Sequence, residues 1–265
     1  MNWEIKYGIM VEYMEKMGAV LVAFSGGVDS SLLLAAAMDA LGRERVLAVT
    51  AVSPIHPPEE LEDARRVAEF LGARWRAVES AEMQNPQFVA NPPQRCYFCK
   101  RDLLALLAAM AEEEGISRIV EGSNINDLED YRPGFRAVSE AGVTSPLLEA
   151  GLTKEDVRKA ARERGIPSWN RPSDACLCSR IPYGSAITEE RLRRIYLAEK
   201  VVKGLGVEIV RVRDHGEIAR IEVPERDIEI VCRAGNRLQV VQKLNKIGFK
   251  YVTVDIGGYR TGSMN

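Results

Sequence analysis

The stretch Ala19–Ala37, "AVLVAFSGGVDSSLLLAAA", joins two apolar segments through a short polar turn. Its first segment, Ala19–Phe24, predicts a buried strand, and the residues after Asp29 have the apolar pattern of a buried helix. Backbone N–H groups at a helix N-terminus lack helical partners and, together with the helix dipole, favour a bound anion. Glycine lets that anion approach the backbone closely. The turn therefore predicts an anion site; the alternative is a solvated turn whose side chains only cap the helix.

Strands and helices alternate along the first two thirds of the chain. This alternation predicts an α/β fold, in which helices cover both faces of a parallel sheet. After Gly165 the pattern changes to an aperiodic stretch with two cysteines, followed by a helix and alternating strand-like runs. We predict a domain at 1–167, a cysteine-bearing linker at 168–187, and a small α+β domain for substrate binding and oligomerisation at 188–265. The predicted strands of the first domain are 19–24, 45–51, 75–78 and 117–121, its helices are 4–17, 29–41, 58–71, 99–114 and 153–164, and 82–95 is an ordered loop.

The composition of the chain limits the functional classes of protein to which it can belong. The chain has 265 residues, 46% of them hydrophobic, and a formal net charge of −2. Proteins that bind a nucleic-acid backbone usually carry an excess of basic residues. This chain has no such excess, so a nucleic-acid partner is not expected. No secretory leader is recognisable, and no apolar run approaches the ~20 residues that span a bilayer. We therefore expect a soluble, cytoplasmic protein with no membrane partner.

Three polar residues lie at the ends of predicted strands. Open α/β sheets bind ligands outside the carboxyl ends of their strands, so these residues are candidate ligand contacts. They are Ser53, Ser123 and Asn124. Asp127, in "NINDLED", is a candidate Mg²⁺ ligand, and a helix cap is an equal alternative.

Basic residues in the second half predict a site for a substrate phosphate. Arg211 and Arg213 are two positions apart on a predicted strand and therefore point to the same face. Two adjacent arginines repel each other unless an anion or acids lie between them. The alternative is an exposed charged face. Ser179 and Arg180, directly after the cysteines of the linker, are further candidates for the phosphate.

The polar turn resembles a family signature. "SGGVDS" at Ser25–Ser30 resembles the S-G-G-x-D-S loop of the PP-loop ATP pyrophosphatases. Longer stretches resemble the LarE family of that superfamily. These are "TAVSPIHPPEELEDA", "GSNINDLEDYRPG", "SPLLEAGLTKEDVRKAARERGIPSWNRPSDACLCSRIPYG", "VRVRDHGEIARIEV" and "VTVDIGGYRTGSMN". These stretches occur in the same order as in the family and cover nearly the whole chain. By this resemblance the chain is identified as a member of the LarE family.

The resemblance implies a Rossmann-like sheet and an ATP-dependent sulfur transfer. ATP would adenylylate a carboxylate of pyridinium-3,5-biscarboxylate mononucleotide with loss of pyrophosphate, Mg²⁺ would neutralise the phosphates, and sulfur from a sulfide donor would then displace AMP. A homo-oligomer is expected. Asp29 would act through the metal or by orienting the loop. The residues that match the ATP-binding loop are Ser25, Gly26, Gly27, Asp29 and Ser30.

The five cysteines raise the question of where the sulfur comes from. Four of them form two close pairs, which argues for a metal or redox site rather than an extracellular disulfide framework. Cys176 matches the cysteine that gives up its own sulfur in the sacrificial form of the family. The pair Cys96 and Cys99, in "RCYFCK", is by itself compatible with zinc, a redox dithiol or an iron–sulfur cluster. Cys232, in a predicted helix, is expected to be buried.

A variant of the family uses a cluster, and the resemblance to it implies a catalytic alternative. If Cys96, Cys99 and Cys176 converge, three thiolates hold a 4Fe–4S cluster with one open iron for hydrosulfide. Cys178 is then a fourth ligand, a spare thiol or a bystander. We predict the cluster form; the alternatives are single-turnover transfer from Cys176 and a PP-loop enzyme that thiolates tRNA.

Overall fold

The computed structural model describes residues 1–129, 133–172 and 175–260 of the chain. These residues form two compact units. Unit 1 contains residues 1–53, 58–85 and 94–172, and unit 2 contains residues 54–57, 86–93 and 175–260. Two short segments from the first half of the chain thus belong to unit 2. The domain boundaries given above stay a prediction.

Unit 1 is built around a four-stranded sheet. All its strands are parallel, and their order is β3-β2-β1-β4. The strands are β1 (Val20–Ala23), β2 (Val46–Val52), β3 (Arg74–Glu79) and β4 (Arg118–Val120). The helices are α1 (Trp3–Glu15), α2 (Val28–Leu41), α3 (Pro58–Phe70), α5 (Arg95–Glu113), α6 (Gly134–Glu140), α7 (Pro146–Glu149) and α8 (Lys154–Glu163). The α/β architecture with a parallel sheet is therefore confirmed.

Apolar cores lie on both faces of this sheet. Helix α2 is buried along most of its length because its sequence, "VDSSLLLAAAMDAL", is apolar on nearly every side. It packs with α1 and α8 over Val20 and Val22 of β1. On the opposite face, Leu104 and Leu107 of α5 pack against Leu21. The central strands are apolar on both sides, as the strands of a parallel sheet covered by helices must be.

Unit 2 contains a three-stranded mixed sheet. Strand β6 pairs antiparallel with β5 and parallel with β7, and apolar residues of all three elements form a core with the neighbouring helices. The elements are α4 (Pro86–Val89), α9 (Glu189–Lys203), β5 (Arg211–His215), β6 (Ile218–Glu222), α10 (Ile228–Cys232), α11 (Ala234–Ile247) and β7 (Tyr251–Val254). The small α+β unit after the parallel sheet is confirmed.

The structure also departs from the sequence expectations. The predicted loop 82–95 contains α4, which begins at a proline, a residue favoured in the first turn of a helix. Helix α5 begins at Arg95, so Cys96 as well as Cys99 lies in a helix. Cys232 is exposed at the end of α10, and the prediction that it is buried is wrong.

No helix within the described part of the chain is long and apolar enough to cross a membrane.

Candidate active site

The glycine-rich turn lies where the strand order of the sheet reverses. Strands β1 and β4 are neighbours: the chain continues from β1 to β2 and β3 on one side of β1, and then returns to form β4 on its other side. Ligands of open α/β sheets bind in the crevice at this reversal, outside the carboxyl ends of the strands. The turn after β1 and the residues after β4 both lie at this edge. The fold therefore places two of the predicted polar segments side by side.

The two glycines of the turn have different structural roles. Gly26 has φ +73°, which L residues rarely adopt, and a Cβ on it would lie 2.7 Å from the Cα of Ala64 in α3. Gly27 is the N-cap of α2 with φ −71°, and a Cβ there would lie 3.3 Å from the Oγ of Ser25. Gly26 is thus required by the fold itself. At Gly27 the absence of a side chain leaves room next to the hydroxyl of Ser25.

Serine hydroxyls hold the turn in shape. The backbone N–H of Ser25 donates to the Oγ of Ser30 at 3.2 Å, and this Oγ donates to the carbonyl of Gly27 at 3.1 Å. The N–H of Gly27 in turn donates to the Oγ of Ser25 at 3.3 Å. Ser25 is exposed and Ser30 is buried. The turn is therefore ordered by its own side chains and has one hydroxyl facing solvent.

Asp29 is held by two residues from distant parts of the chain. The amide of Asn124, after β4, donates to its Oδ1 at 2.9 Å, and the ammonium of Lys154 pairs with its Oδ2. Gly122 allows this approach because a Cβ on it would lie 3.0 Å from the N of Ser30. The structure thus brings together the predicted residues Asp29, Ser30 and Asn124, and it adds Lys154, which the sequence analysis missed.

One local signal for Lys154 exists in the sequence. It is the first residue of α8, where the helix dipole disfavours a cation. A basic residue in this position suggests a partner outside the helix. Asn126 supports the position, because its Oδ1 accepts the backbone N–H of Lys154 at 2.8 Å.

Asp127 acts as a local cap. Its Oδ2 accepts the backbone N–H of Asn124 at 3.0 Å, which fixes the start of the 3₁₀ turn Ile125–Glu129. This contact favours the capping alternative for Asp127. A role as a Mg²⁺ ligand stays a prediction.

A buried carboxylate ties the cysteine-bearing helix to the same edge of the sheet. Glu121 accepts hydrogen bonds from the ammonium of Lys100 at 3.2 Å, the N–H of Ser123 at 3.0 Å and the hydroxyl of Ser145 at 2.5 Å. Burial raises the pKa of Glu121, but the charge of Lys100 and the hydrogen bonds outweigh burial and hold the pKa below its usual value. Glu121 is therefore ionised at neutral pH and positions Lys100.

Ser53 lies just after β2, at the same edge of the sheet. Its hydroxyl donates to the buried carboxylate of Glu82. This contact fixes the hydroxyl, and its predicted role in binding ATP stays a prediction.

Cys96 lies in the first turn of α5 and Cys99 at the start of the second. Cys96 is exposed and Cys99 is half-buried. Cys176 belongs to unit 2, so the convergence of the three thiols stays a prediction. Among the residues that the structure describes, no group of three or more His, Cys, Asp and Glu side chains is arranged to hold a metal ion.

Cys176 is presented by a turn that a buried arginine organises. The 3₁₀ turn Leu177–Arg180 follows it directly. The guanidinium of Arg180, 1% exposed, pairs with Glu199 at 2.8 Å and donates to the carbonyl of Cys176 at 3.1 Å and to the Oγ of Ser179 at 2.9 Å. Cys176 is half-buried, whereas Cys178 is completely buried. Arg180 thus positions the turn; its predicted contact with a phosphate stays a prediction.

Arg211 and Arg213 are both buried, so the alternative of an exposed charged face is wrong. Arg213 donates to the carbonyl of Ser179 at 3.0 Å and pairs with Glu222 at 2.6 Å. Arg211 lies over the ring of Tyr259, with its guanidinium carbon 5.2 Å from the ring centroid. The carboxylate of Glu222 lies between Arg213 and Arg220, 2.6 Å and 2.9 Å from their guanidinium nitrogens. The strand therefore carries a buried, partly neutralised cationic cluster beside the cysteine-bearing turn.

Comparisons with known proteins place these features in a family. A sequence model of the NAD synthase family matches residues 5–93, which include the glycine-rich turn. The chain is 42% identical to an uncharacterized protein of Synechocystis, covering 99% of this chain and 97% of the relative. It is 39% identical to the pyridinium-3,5-bisthiocarboxylic acid mononucleotide synthase of Lactiplantibacillus plantarum, covering 98% and 94%. An NH(3)-dependent NAD(+) synthetase of Hyperthermus butylicus is 33% identical over 58% of both chains.

The partial matches share the nucleotide-binding half, whereas the Lactiplantibacillus enzyme matches both units. The glycine-rich turn with its serines and Asp29 is therefore a PP-loop, and ATP is the nucleotide this superfamily uses. The chain belongs to the LarE family of pyridinium-3,5-bisthiocarboxylic acid mononucleotide synthases and is an enzyme of the PP-loop ATP pyrophosphatase superfamily.

Proposed function

We propose that this enzyme adenylylates the carboxylates of pyridinium-3,5-biscarboxylate mononucleotide and converts them to thiocarboxylates. The observation that carries the proposal is an ordered PP-loop in a chain 39% identical, over nearly its whole length, to an enzyme named for the bisthiocarboxylic acid product. Adenylylation is chemically required because a bare carboxylate resists nucleophiles, whereas AMP is a good leaving group. The proposal includes a cytoplasmic location and a homo-oligomeric assembly.

The PP-loop supplies the groups that an ATP triphosphate needs. The exposed hydroxyl of Ser25 and the start of α2 would bind the β- and γ-phosphates. The carboxylate of Asp29, 22% exposed, is a hard oxygen ligand suited to Mg²⁺, which would neutralise phosphate charge. The ammonium of Lys154 pairs with the carboxylate of Asp29 beside this loop. When ATP binds, the ammonium would pair with a phosphate oxygen instead. Lys154 would thus supply the positive charge that, in a Walker-type P-loop, comes from a lysine within the loop motif.

The arginines of unit 2 are proposed to bind the phosphate of the substrate nucleotide. Arg211→Ala should raise the KM for that nucleotide about ten-fold or more, because a charge-assisted contact contributes roughly 1.5–3 kcal/mol. The KM for ATP should change little. Steady-state pyrophosphate release measures both. Arg226→Ala, at an arginine that is 79% exposed, is the control. A raised KM for ATP with an unchanged KM for the nucleotide would assign Arg211 to the other substrate.

Sulfur delivery is proposed to use a 4Fe–4S cluster. Cys96 and Cys99, three residues apart on one helix, and Cys176 would be its thiolate ligands. The cluster would present sulfur as hydrosulfide, the nucleophile that displaces AMP. The alternative is transfer of the sulfur of Cys176 itself, and the turn fixed by Arg180, which presents this residue, is compatible with both mechanisms.

One anaerobic experiment tests the overall reaction. The protein is incubated with ATP, Mg²⁺, sulfide and the biscarboxylate nucleotide, and pyrophosphate, AMP and the mass of the nucleotide are measured. We expect pyrophosphate and AMP to form together with a product in which sulfur replaces carboxylate oxygen. A nucleotide with a single carboxylate serves as a comparison substrate. Pyrophosphate release that does not depend on the biscarboxylate nucleotide would overturn the proposal.

A further inference from the structure

Helix α1 has an apolar stripe on its solvent side. Its opposite face is buried in unit 1, where Met10 and Met14 are completely inaccessible. On the solvent side, Ile5, Ile9 and Tyr13 follow one another at four-residue spacing and therefore lie in line along the helix. They are 54%, 40% and 36% exposed. Single exposed hydrophobic residues are normal, but three in line form a patch of the kind that marks an interaction surface.

One side of this stripe is acidic. With about 100° between successive helical residues, four residues lie on that side, and the three carboxylates among them are exposed. They are Glu4, Gly8, Glu12 and Glu15. Of the two lysines in this part of the chain, Lys6 pairs with Asp156 and Lys16 lies at the C-cap of the helix. The stripe is therefore amphipathic, with negative charge along one edge.

Gly8, within the acidic edge, is not required by the fold of unit 1. Glycine in the interior of a helix is less favourable than alanine, and a Cβ on Gly8 would meet no described atom within 4 Å. The missing side chain leaves room for another helix to approach α1 beside the stripe.

An apolar groove of matching length lies between α9 and α11 in unit 2. The residues that line it include Leu197, Val201 and Leu205 on the side of α9 and Gln239, Lys243 and Ile247 on α11. Val201 and Ile247 are half-buried against the core of unit 2, so the floor of the groove is apolar. Gln239 and Ile247 are eight residues apart, about 12 Å along a helix, and Ile5 and Tyr13 have the same separation.

The groove is basic, although the chain as a whole has a net charge of −2. Residues 233–250, which include α11, contain five basic residues and no acidic one. The basic residues at the two ends of this segment pair with neighbouring acids. Lys243, which lines the groove, is exposed and forms no ion pair with any residue that the structure describes. The groove thus complements the stripe of α1 in both polarity and charge.

From these two surfaces we infer that α1 of one chain docks in the groove between α9 and α11 of a second copy of this chain. The apolar stripe covers the floor of the groove, the acidic edge faces the basic wall formed by α11, and Gly8 lets the helices approach closely. This is the helix-in-groove mode of recognition, in which an amphipathic helix places its apolar face in an apolar groove. The two surfaces differ, so every chain needs both, whether the contact is reciprocal in a dimer or runs around a ring. The inference rests on the homo-oligomeric assembly included in the proposed function and names its contact.

Native mass spectrometry of two complementary variants tests the contact. Ile5→Arg with Ile9→Arg removes the stripe and keeps the groove, whereas Gln239→Glu with Lys243→Glu reverses the charge of the groove and keeps the stripe. We expect the wild type to be an oligomer and the dissociation constant of either variant alone to rise at least ten-fold. An equimolar mixture should form complexes that contain both variants, because the stripe of one fits the groove of the other. Phe70→Arg, at a residue that is also 54% exposed but outside both surfaces, should assemble as the wild type does.

Gly8→Arg provides a second variant of α1 that keeps the test independent of folding defects. Arginine is a better helix former than glycine, and unit 1 has room for its side chain, so the melting temperature should stay the same or rise. The same side chain would place bulk and positive charge against the basic groove, so assembly should weaken at least ten-fold. A variant that assembles as the wild type does would contradict the close approach at Gly8.

The remaining outcomes separate this inference from the proposed function. A monomeric wild type would overturn the inference, also where α1 docks in the groove of its own chain, and conversion of the biscarboxylate nucleotide by that monomer would leave the catalytic proposal standing. An oligomer that neither pair of substitutions weakens would overturn the inference and assign the assembly to other surfaces. Failure of the two variants to associate in the mixture would show that the stripe and the groove do not bind each other. Weakening by the groove substitutions alone would likewise refute α1 as the occupant of the groove.

Discussion

Asp29→Asn should reduce ATP-dependent pyrophosphate release by about 10²-fold or more, a loss typical of removing one preorganised electrostatic contact from an active site. The substitution keeps the size of the side chain and its hydrogen bond from Asn124, but it removes the charge that would bind Mg²⁺ and that now pairs with Lys154. The fold should tolerate it because Asp29 is partly exposed. Pyrophosphate release under saturating ATP and substrate is the measurement.

Asp39→Asn is the matched control for this prediction. Asp39 lies on the same helix, α2, and also pairs with a basic residue, Arg164, but outside the PP-loop. Its pyrophosphate release should stay within about two-fold of the wild type. If Asp29→Asn were to release pyrophosphate at the wild-type rate, the assignment of the PP-loop carboxylate to ATP chemistry would be wrong.

Features of this chain are predictable from its sequence where their residues are contiguous. The PP-loop was found because its strand, turn and helix start are contiguous, so that alternation and glycine spacing report on them directly. The parallel sheet followed from the same local patterns. By contrast, Lys154 reaches Asp29 across 125 residues of sequence, because the tertiary packing of α8 against α2 brings the two residues together.

The arginines show a second limit of sequence reasoning. Spacing correctly placed Arg211 and Arg213 on one strand, but spacing does not report burial or partners. Arg180 illustrates the same point, since a residue proposed to hold a phosphate has its guanidinium paired with buried Glu199 and bonded to the carbonyl of Cys176. A charged residue near a reactive one therefore has two interpretations, ligand contact and positioning, and the side-chain contacts of the structure favour positioning for Arg180.

Cys176→Ser should abolish thiocarboxylate formation while pyrophosphate release continues. Both proposed sulfur-transfer mechanisms use Cys176, as a cluster ligand or as the sulfur donor, whereas the proposed adenylylation would take place at the PP-loop. Serine keeps the backbone carbonyl that Arg180 holds, so the turn should survive. The product nucleotide is measured by mass. Cys178→Ala is the control, because Cys178 is completely buried and should affect stability more than sulfur transfer.

The mass of the wild-type protein after turnover with excess sulfide separates the two mechanisms. We expect several equivalents of thiocarboxylate per chain and an unchanged protein, because a cluster bound by Cys96, Cys99 and Cys176 would take up sulfide again after each transfer. A protein that loses one H₂S for each thiocarboxylate formed, with dehydroalanine at position 176, would show that Cys176 is consumed. That outcome would contradict the cluster mechanism and leave the adenylylation step intact, since carboxylate activation is the same in both.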